Sequence, residues 1–180
     1  MSFDTAVTLA HTGHALGGAF DGFLHPITGP DHVLAMVAVG IVAALAHDRR
    51  VAWGVPAAFL GGMVLGGAAG MAGISVPAVE VGIALSIVAL GLLVASGRRV
   101  PAIPMLAIAA VFGAVHGHAH GAEAPDAASP LAYVAGFVLA TALLHGTGVV
   151  AGTQFRRVRA LQVVGGTALA AGGAYFLLGG

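Results

Sequence analysis

Charged residues divide the chain into long apolar stretches. Val51 to Val79, Val81 to Gly97, Val100 to Ala122, Ala127 to Phe155 and Ala160 to Gly180 contain no Asp, Glu or Arg. Each is near or above the about 17–25 residues that a transmembrane helix needs. Two shorter uncharged stretches, Thr5 to Phe20 and Val33 to His47, precede them. With polar groups allowed at helix ends, the pattern predicts seven segments: Thr8–Leu24, Asp31–Ala46, Ala52–Met71, Pro77–Ser96, Pro101–His118, Pro130–Gly152 and Arg159–Leu178. Pro77, Pro101 and Pro130 each stand at a segment start, where a missing N–H is harmless. The expected fold is all-α, a polytopic transmembrane helical bundle, with residues 1–180 as one integral membrane domain. The first segment is short and carries His11, His14 and Asp21. Six full spans plus a partial or re-entrant first helix is therefore the alternative.

The basic residues orient the segments. Arg49 and Arg50 lie between segments two and three, Arg98 and Arg99 between four and five, and Arg156, Arg157 and Arg159 between six and seven. All fall in alternate loops, and the positive-inside rule makes that face cytoplasmic. The opposite face carries His25 to His32 and His116 to Asp126. A seven-crossing chain then starts inside and ends outside. Asp4 is acidic and no basic n-region precedes the first apolar stretch, so the start does not read as a cleavable signal peptide.

Composition removes whole classes of function. Of the 180 residues 58% are hydrophobic and 8% charged, against about 25% charged in soluble domains. The seven basic and seven acidic residues cancel, and no basic face is concentrated enough for nucleic acid. The basic residues are all Arg, which excludes an amine Schiff base and a Walker-A phosphate loop. The absence of Cys excludes disulfides, iron–sulfur clusters and thiolate metal sites. The 29 Gly read mainly as helix-packing positions, because close backbone approach through small residues holds membrane helices together. Gly62, Gly66 and Gly70 recur every fourth residue, as do Gly117/Gly121 and Gly148/Gly152.

Ionisable residues at membrane depth are expensive and are functional candidates by default. One cluster is His25-Pro-Ile-Thr-Gly-Pro-Asp31-His32, where two prolines and a glycine cannot continue a regular helix. Broken backbone at that depth lines a cavity or is buried, and Asp31 is also placed to cap segment two. Asp21 and His14 share the helix face of His25. The second cluster is His116-Gly-His118-Ala-His120-Gly-Ala-Glu123, in which His116, His120 and Glu123 stack on one face while His118 points toward water or the loop. Parity places both clusters on the face opposite the arginines, where they can share one ion pathway.

Lesser candidates are His11 and His14 as an ion-capture pair, Asp21, Met36 as a thioether or simple filler, Glu80 in interhelical hydrogen bonding or ion handling, and His145 as ligand, proton carrier or packing residue. His47, beside Asp48 and Arg49, reads as interfacial. Imidazole suits Ni, Co, Zn and Fe(II), whereas Mg and Ca prefer oxygen shells and Cu(I) prefers thiolate. Binding needs neutral imidazole, so affinity should fall as pH drops through the ordinary imidazole range. Three competing readings are a bis-His haem protein, an intramembrane metallohydrolase, for which an HExxH motif is lacking, and a metal sensor or chaperone without transport.

His25-Pro26-Ile27-Thr28-Gly29-Pro30-Asp31-His32, followed by Leu34-Ala35-Met36, resembles the HPxxGxDH signature of the HupE/UreJ nickel permeases. His116 to Glu123 is similar to that family's HAxAHGxE element, with Gly117 in place of Ala, and Pro77-Ala-Val-Glu80 and His145 are similar too. The resemblance covers essentially the whole chain. It implies a non-enzymatic secondary permease of the bacterial inner membrane that takes up Ni2+ or Co2+ for hydrogenase or urease maturation, with Zn2+ a further candidate ion. It implies His25, Asp31, His32, His116, His120 and Glu123 as the metal-handling residues, with no prosthetic group. The expected partners are lipid and the divalent ion, and the oligomeric state is open. Many relatives begin with a secretory signal and a His-rich mature end, and this chain departs from them there.

The arginine pattern yields a test of sidedness. In the Cys-free chain, Arg98→Cys should react with an impermeant thiol reagent from the cytoplasmic side and Asp126→Cys from the other. Labelling of both from one side would contradict the topology.

Overall fold

The computed structural model describes residues 18–124 and 129–179; His11, His14 and Asp126 lie outside them. The described residues form helices α1 (Gly18–Thr28), α2 (Pro30–Leu45), α3 (Arg49–Met71), α4 (Val79–Ser96), α5 (Ala102–Ala122), α6 (Pro130–Arg157) and α7 (Arg159–Leu177). Five of them, α3 to α7, are long and apolar enough to cross a membrane, and α1 with α2 makes a sixth, bent pair. The expected all-α bundle of seven segments is found, and its first two segments form a bent pair, the broken or re-entrant arrangement of the alternative reading.

The break between α1 and α2 bends the chain by 83°. Sequence reasoning puts the disruption across the whole Pro26–Pro30 run, but α1 continues through Pro26 to Thr28. The chain turns at Gly29, held extended at φ −88°, ψ 108°. Pro30 imposes that conformation on the residue before it and then serves as the first helical residue. Gly29, not Asp31, occupies the N-cap, with no side-chain cap hydrogen bond. Asp31 sits instead in the first turn of α2, where a carboxylate still suits the positive helix end.

α2 is the hub. It packs most closely on α6 and also touches α3, α4 and α7, while α3 pairs with α5 and α4 with α7. Ala35, Met36 and Ala38 to Ala43 are all buried, as expected of a helix enclosed on several sides. The outer surface is apolar: Ile103, Leu131, Leu65 and Val150 stand exposed, a face that suits lipid chains rather than water.

Glycines do the packing, those recognised by their spacing among them. On α3, Gly62, Gly66 and Gly70 lie against the backbone of Ala110, Ala114 and His118; on α5, Gly113, Gly117 and Gly121 lie against that of Phe59, Met63 and Gly67. The interlock is reciprocal, so each helix runs in the groove of the other. Gly40 and Gly148 likewise bring α2 and α6 together.

At the arginine end, basic side chains finish the helices. Arg156 donates to the Ala44 carbonyl at 3.3 Å, and Arg159 to those of Ala95 and Ser96, each at 3.0 Å. Carbonyls that α2 and α4 leave unpaired at their C-termini are thereby satisfied. Asp48 caps α3 by accepting from the Arg50 N–H at 2.8 Å.

The interlock predicts a contrast between two helical glycines. Gly117→Ala would drive a Cβ into the Met63 carbonyl and should destabilise the protein by about 1–3 kcal/mol. Gly61→Ala meets no atom within 4 Å and should be neutral or gain up to about 1 kcal/mol of helix propensity. Thermal unfolding in detergent checks both, and equal effects would contradict the packing.

Candidate metal centre

The two histidine clusters meet. The ring centres of His25 and His120 are 4.8 Å apart, those of His32 and His120 4.6 Å, and those of His32 and His116 5.5 Å. Two imidazoles on one tetrahedral ion hold their ring centres about 5 Å apart, given metal–nitrogen bonds of about 2.0–2.1 Å. The spacing is therefore that of potential co-ligands. Axial histidines of a haem would instead have the macrocycle between them.

Local structure aims each ring. His32 Nδ1 stands 2.9 Å from Asp31 Oδ1, and His116 Nδ1 2.8 Å from the Phe112 carbonyl. Both partners are acceptors, so Nδ1 carries the proton in each ring. Nε2 then presents a lone pair, and both Nε2 atoms are buried with no hydrogen-bond partner among the described residues. Carboxylates and carbonyls that fix the far nitrogen are how proteins prepare histidine for a metal. His120 has both nitrogens buried and unpaired; it stacks on Phe137 at 5.6 Å, and its backbone carbonyl accepts from the Tyr133 hydroxyl at 3.3 Å.

The outer rim is acidic and wetter. His25 Nε2 lies 3.0 Å from Glu123 Oε2, with 30% and 60% of the two side chains exposed. Glu123 is the C-cap of α5, a position where a negative charge opposes the helix dipole. Its contact with His25 gives it a role that the helix does not. From this rim the donors run inward to His116 and His120, both fully buried. Among the described residues, no three His, Asp or Glu side chains are already closed round a single point. The cluster is an open donor set, not a rigid cage.

All six residues of the expected pathway thus lie in one cluster; of the lesser candidates, His11 and His14 lie outside the described residues and Met36 is buried on α2. Asp21 is exposed on α1. Glu80 is exposed in the first turn of α4 rather than bonded between helices. His47 is exposed in the α2–α3 connection. His118 leaves the shared face as expected, but it does not reach water: it is buried, and Nε2 pairs with the Ile74 carbonyl at 2.6 Å. That carbonyl lies after α3, so His118 fastens the α3–α4 connection to α5. His145 is buried with both nitrogens unpaired, its ring 5.4 Å from Phe59. Phe59 is also 5.3 Å from His116 and so stands between the two imidazoles.

Sequence reasoning missed Tyr133, Phe137 and Thr141, and the signal was present. Together with His145 they recur every fourth residue along α6, the spacing of a single helix face.

The HupE / UreJ protein family matches residues 1–176 of the chain. Protein HupE of Rhizobium leguminosarum bv. viciae is 40% identical over 176 residues, covering 97% of this chain and 92% of that protein. No solved structure matches.

His120, with neither ring nitrogen paired, and His118, whose Nε2 is paired while its Nδ1 is not, should respond oppositely to removal. His120→Leu deletes two unsatisfied buried groups, so the ion-free protein should be as stable as wild type or gain up to about 2 kcal/mol, while Ni2+ affinity drops at least tenfold. His118→Ala should lose about 1 kcal/mol and leave Ni2+ affinity unchanged. Unfolding curves and calorimetric titration of both variants decide; loss of stability in His120→Leu would mean that the ring serves structure.

Proposed function

The chain belongs to the HupE / UreJ protein family, and from that premise we propose that it is a secondary permease carrying Ni2+, or Co2+, across the bacterial inner membrane into the cytoplasm. It catalyses no reaction. The observation that carries the reading is the set of buried, unpaired imidazole nitrogens on His32, His116 and His120 at the membrane end opposite the arginines. Leaving such groups unpaired is expensive, and a borderline divalent ion is the partner whose chemistry suits them. Carboxylates at the rim, Glu123 and Asp31, attract the cation before the neutral rings take it.

An open donor set suits a carrier, which must release what it binds. A sensor or chaperone would favour a closed cage. Energy supply is also accounted for without ATP. A divalent ion crossing 100 mV, negative inside, gains about 4.6 kcal/mol, enough for roughly thousandfold accumulation with no coupled ion. Metal delivered in this way would serve hydrogenase or urease maturation.

Proteoliposomes with a potential negative on the arginine side should accumulate Ni2+ without ATP. Asp31→Ala and His32→Ala should each lower the initial rate at least tenfold, since one loses the group that fixes the other's tautomer. A requirement for ATP, or near-normal uptake by both variants, would sink the proposal.

A further inference from the structure

Below the histidines, α2, α3 and α6 bring three other donors together. The Thr141 hydroxyl lies 3.4 Å from Met36 Sδ and 3.8 Å from Met63 Sδ, and all three residues are fully buried. Methionine in a core is ordinarily filler. The threonine makes that reading insufficient here. Thr28, Thr147 and Thr153, like Ser86 and Ser96, donate to the carbonyl three residues back in their own helices, the usual outlet for a helical hydroxyl. Thr141 turns instead to two sulfurs from other helices. Both thioethers are thus directed at one oxygen.

The spacing fits coordination. Sulfur and oxygen ligands of one tetrahedral ion, with bonds of about 2.3 and 2.1 Å, lie about 3.6 Å apart, between the two observed separations. The position also continues the line of donors. Met36 is one turn inward of His32 on α2. Along α6, Tyr133, Phe137, Thr141 and His145 are spaced by about 6 Å at about 1.5 Å per residue. That places Thr141 about 16 Å from the start of α6, near the middle of a hydrocarbon layer about 30 Å thick.

We propose that Met36 Sδ, Met63 Sδ and Thr141 Oγ1 form a second, mid-membrane ion station, occupied after the histidine cluster and selective for borderline transition ions over hard ones. It rests on the permease reading above and adds a site to it. Thioether sulfur gives Mg2+, Ca2+ or Mn2+ little reason to shed water, whereas Ni2+ and Co2+ accept it. The donors are neutral, so the station holds the ion weakly and passes it on toward His145, one turn further along α6.

Selenomethionine gives a direct readout. In labelled protein saturated with Ni2+, X-ray absorption should show a nickel–selenium shell at about 2.4 Å, lost in Met36→Leu/Met63→Leu. That double variant, which nearly conserves volume, should take up Ni2+ at least tenfold more slowly in proteoliposomes. Its Ni2+ affinity at the histidine cluster should stay within twofold, which also certifies the fold. Thr141→Val should slow uptake similarly and Thr141→Ser should restore it. Uptake by the double variant within twofold of wild type overturns the station, and so does a missing nickel–selenium shell in saturated wild-type protein. If wild-type protein itself neither binds nor accumulates Ni2+, the permease reading has failed instead.

Discussion

In a hydrocarbon layer a polar atom either finds a partner or raises the energy of the fold. Among the described residues His32, His116, His118, His120 and His145 each leave a ring nitrogen buried and unpaired, and much of the remaining architecture can be read as support for that expense. Asp31 and the Phe112 carbonyl each accept a hydrogen bond from one ring N–H, so the lone pairs that remain are fixed in place rather than free to find partners by rotation. Phe59 and Phe137 pack against the same rings, which holds water away and keeps the donors neighbours of each other.

The support has to be stiff, and the glycines make it so. A side chain at Gly117 or Gly66 would separate α5 from α3, carrying His116 and His120 away from the Phe59–Met63 face of α3. Close approach at Gly40 and Gly148 likewise sets the distance from α2, which holds His32 and Met36, to α6, which holds Thr141 and His145. Small residues thus act on the site at one remove. They fix the helix separations within which the donors can meet.

Much of this was legible in one dimension because the bilayer makes strong demands on sequence. Charge-free windows locate helices α3 to α7 within a few residues, arginine parity puts the basic loops at one end of the bundle, and fourfold glycine spacing anticipates the α3–α5 interlock. Both histidine clusters and their meeting follow from helical stacking plus parity. What escaped depends on three-dimensional context. The bend falls at Gly29 alone because a helix tolerates Pro26, and Asp31 turned from the cap to His32. His118 found the Ile74 carbonyl, a partner 44 residues away that no local pattern announces. The α6 face from Tyr133 to His145 was visible as a fourfold repeat, but aromatic and hydroxyl residues in an apolar helix look like packing until their neighbours are known.

The order of donors along the pathway has its own physical consequence. At the rim stand carboxylates, Glu123 and Asp31, then imidazoles, then thioethers and a hydroxyl, with arginines only at the far face. The charge that the ion meets in the permease reading therefore rises from negative through neutral to positive as it moves inward. In the permease reading, attraction is strongest where the ion is dilute and weakest where it must leave. A membrane potential negative on the arginine side opposes that gradient of affinity. The two together avoid a deep well at any single depth, which would trap a divalent ion in a medium unable to solvate it. A closed, carboxylate-rich cage at mid-membrane would bind more tightly and transport less, and the described residues place only neutral groups there.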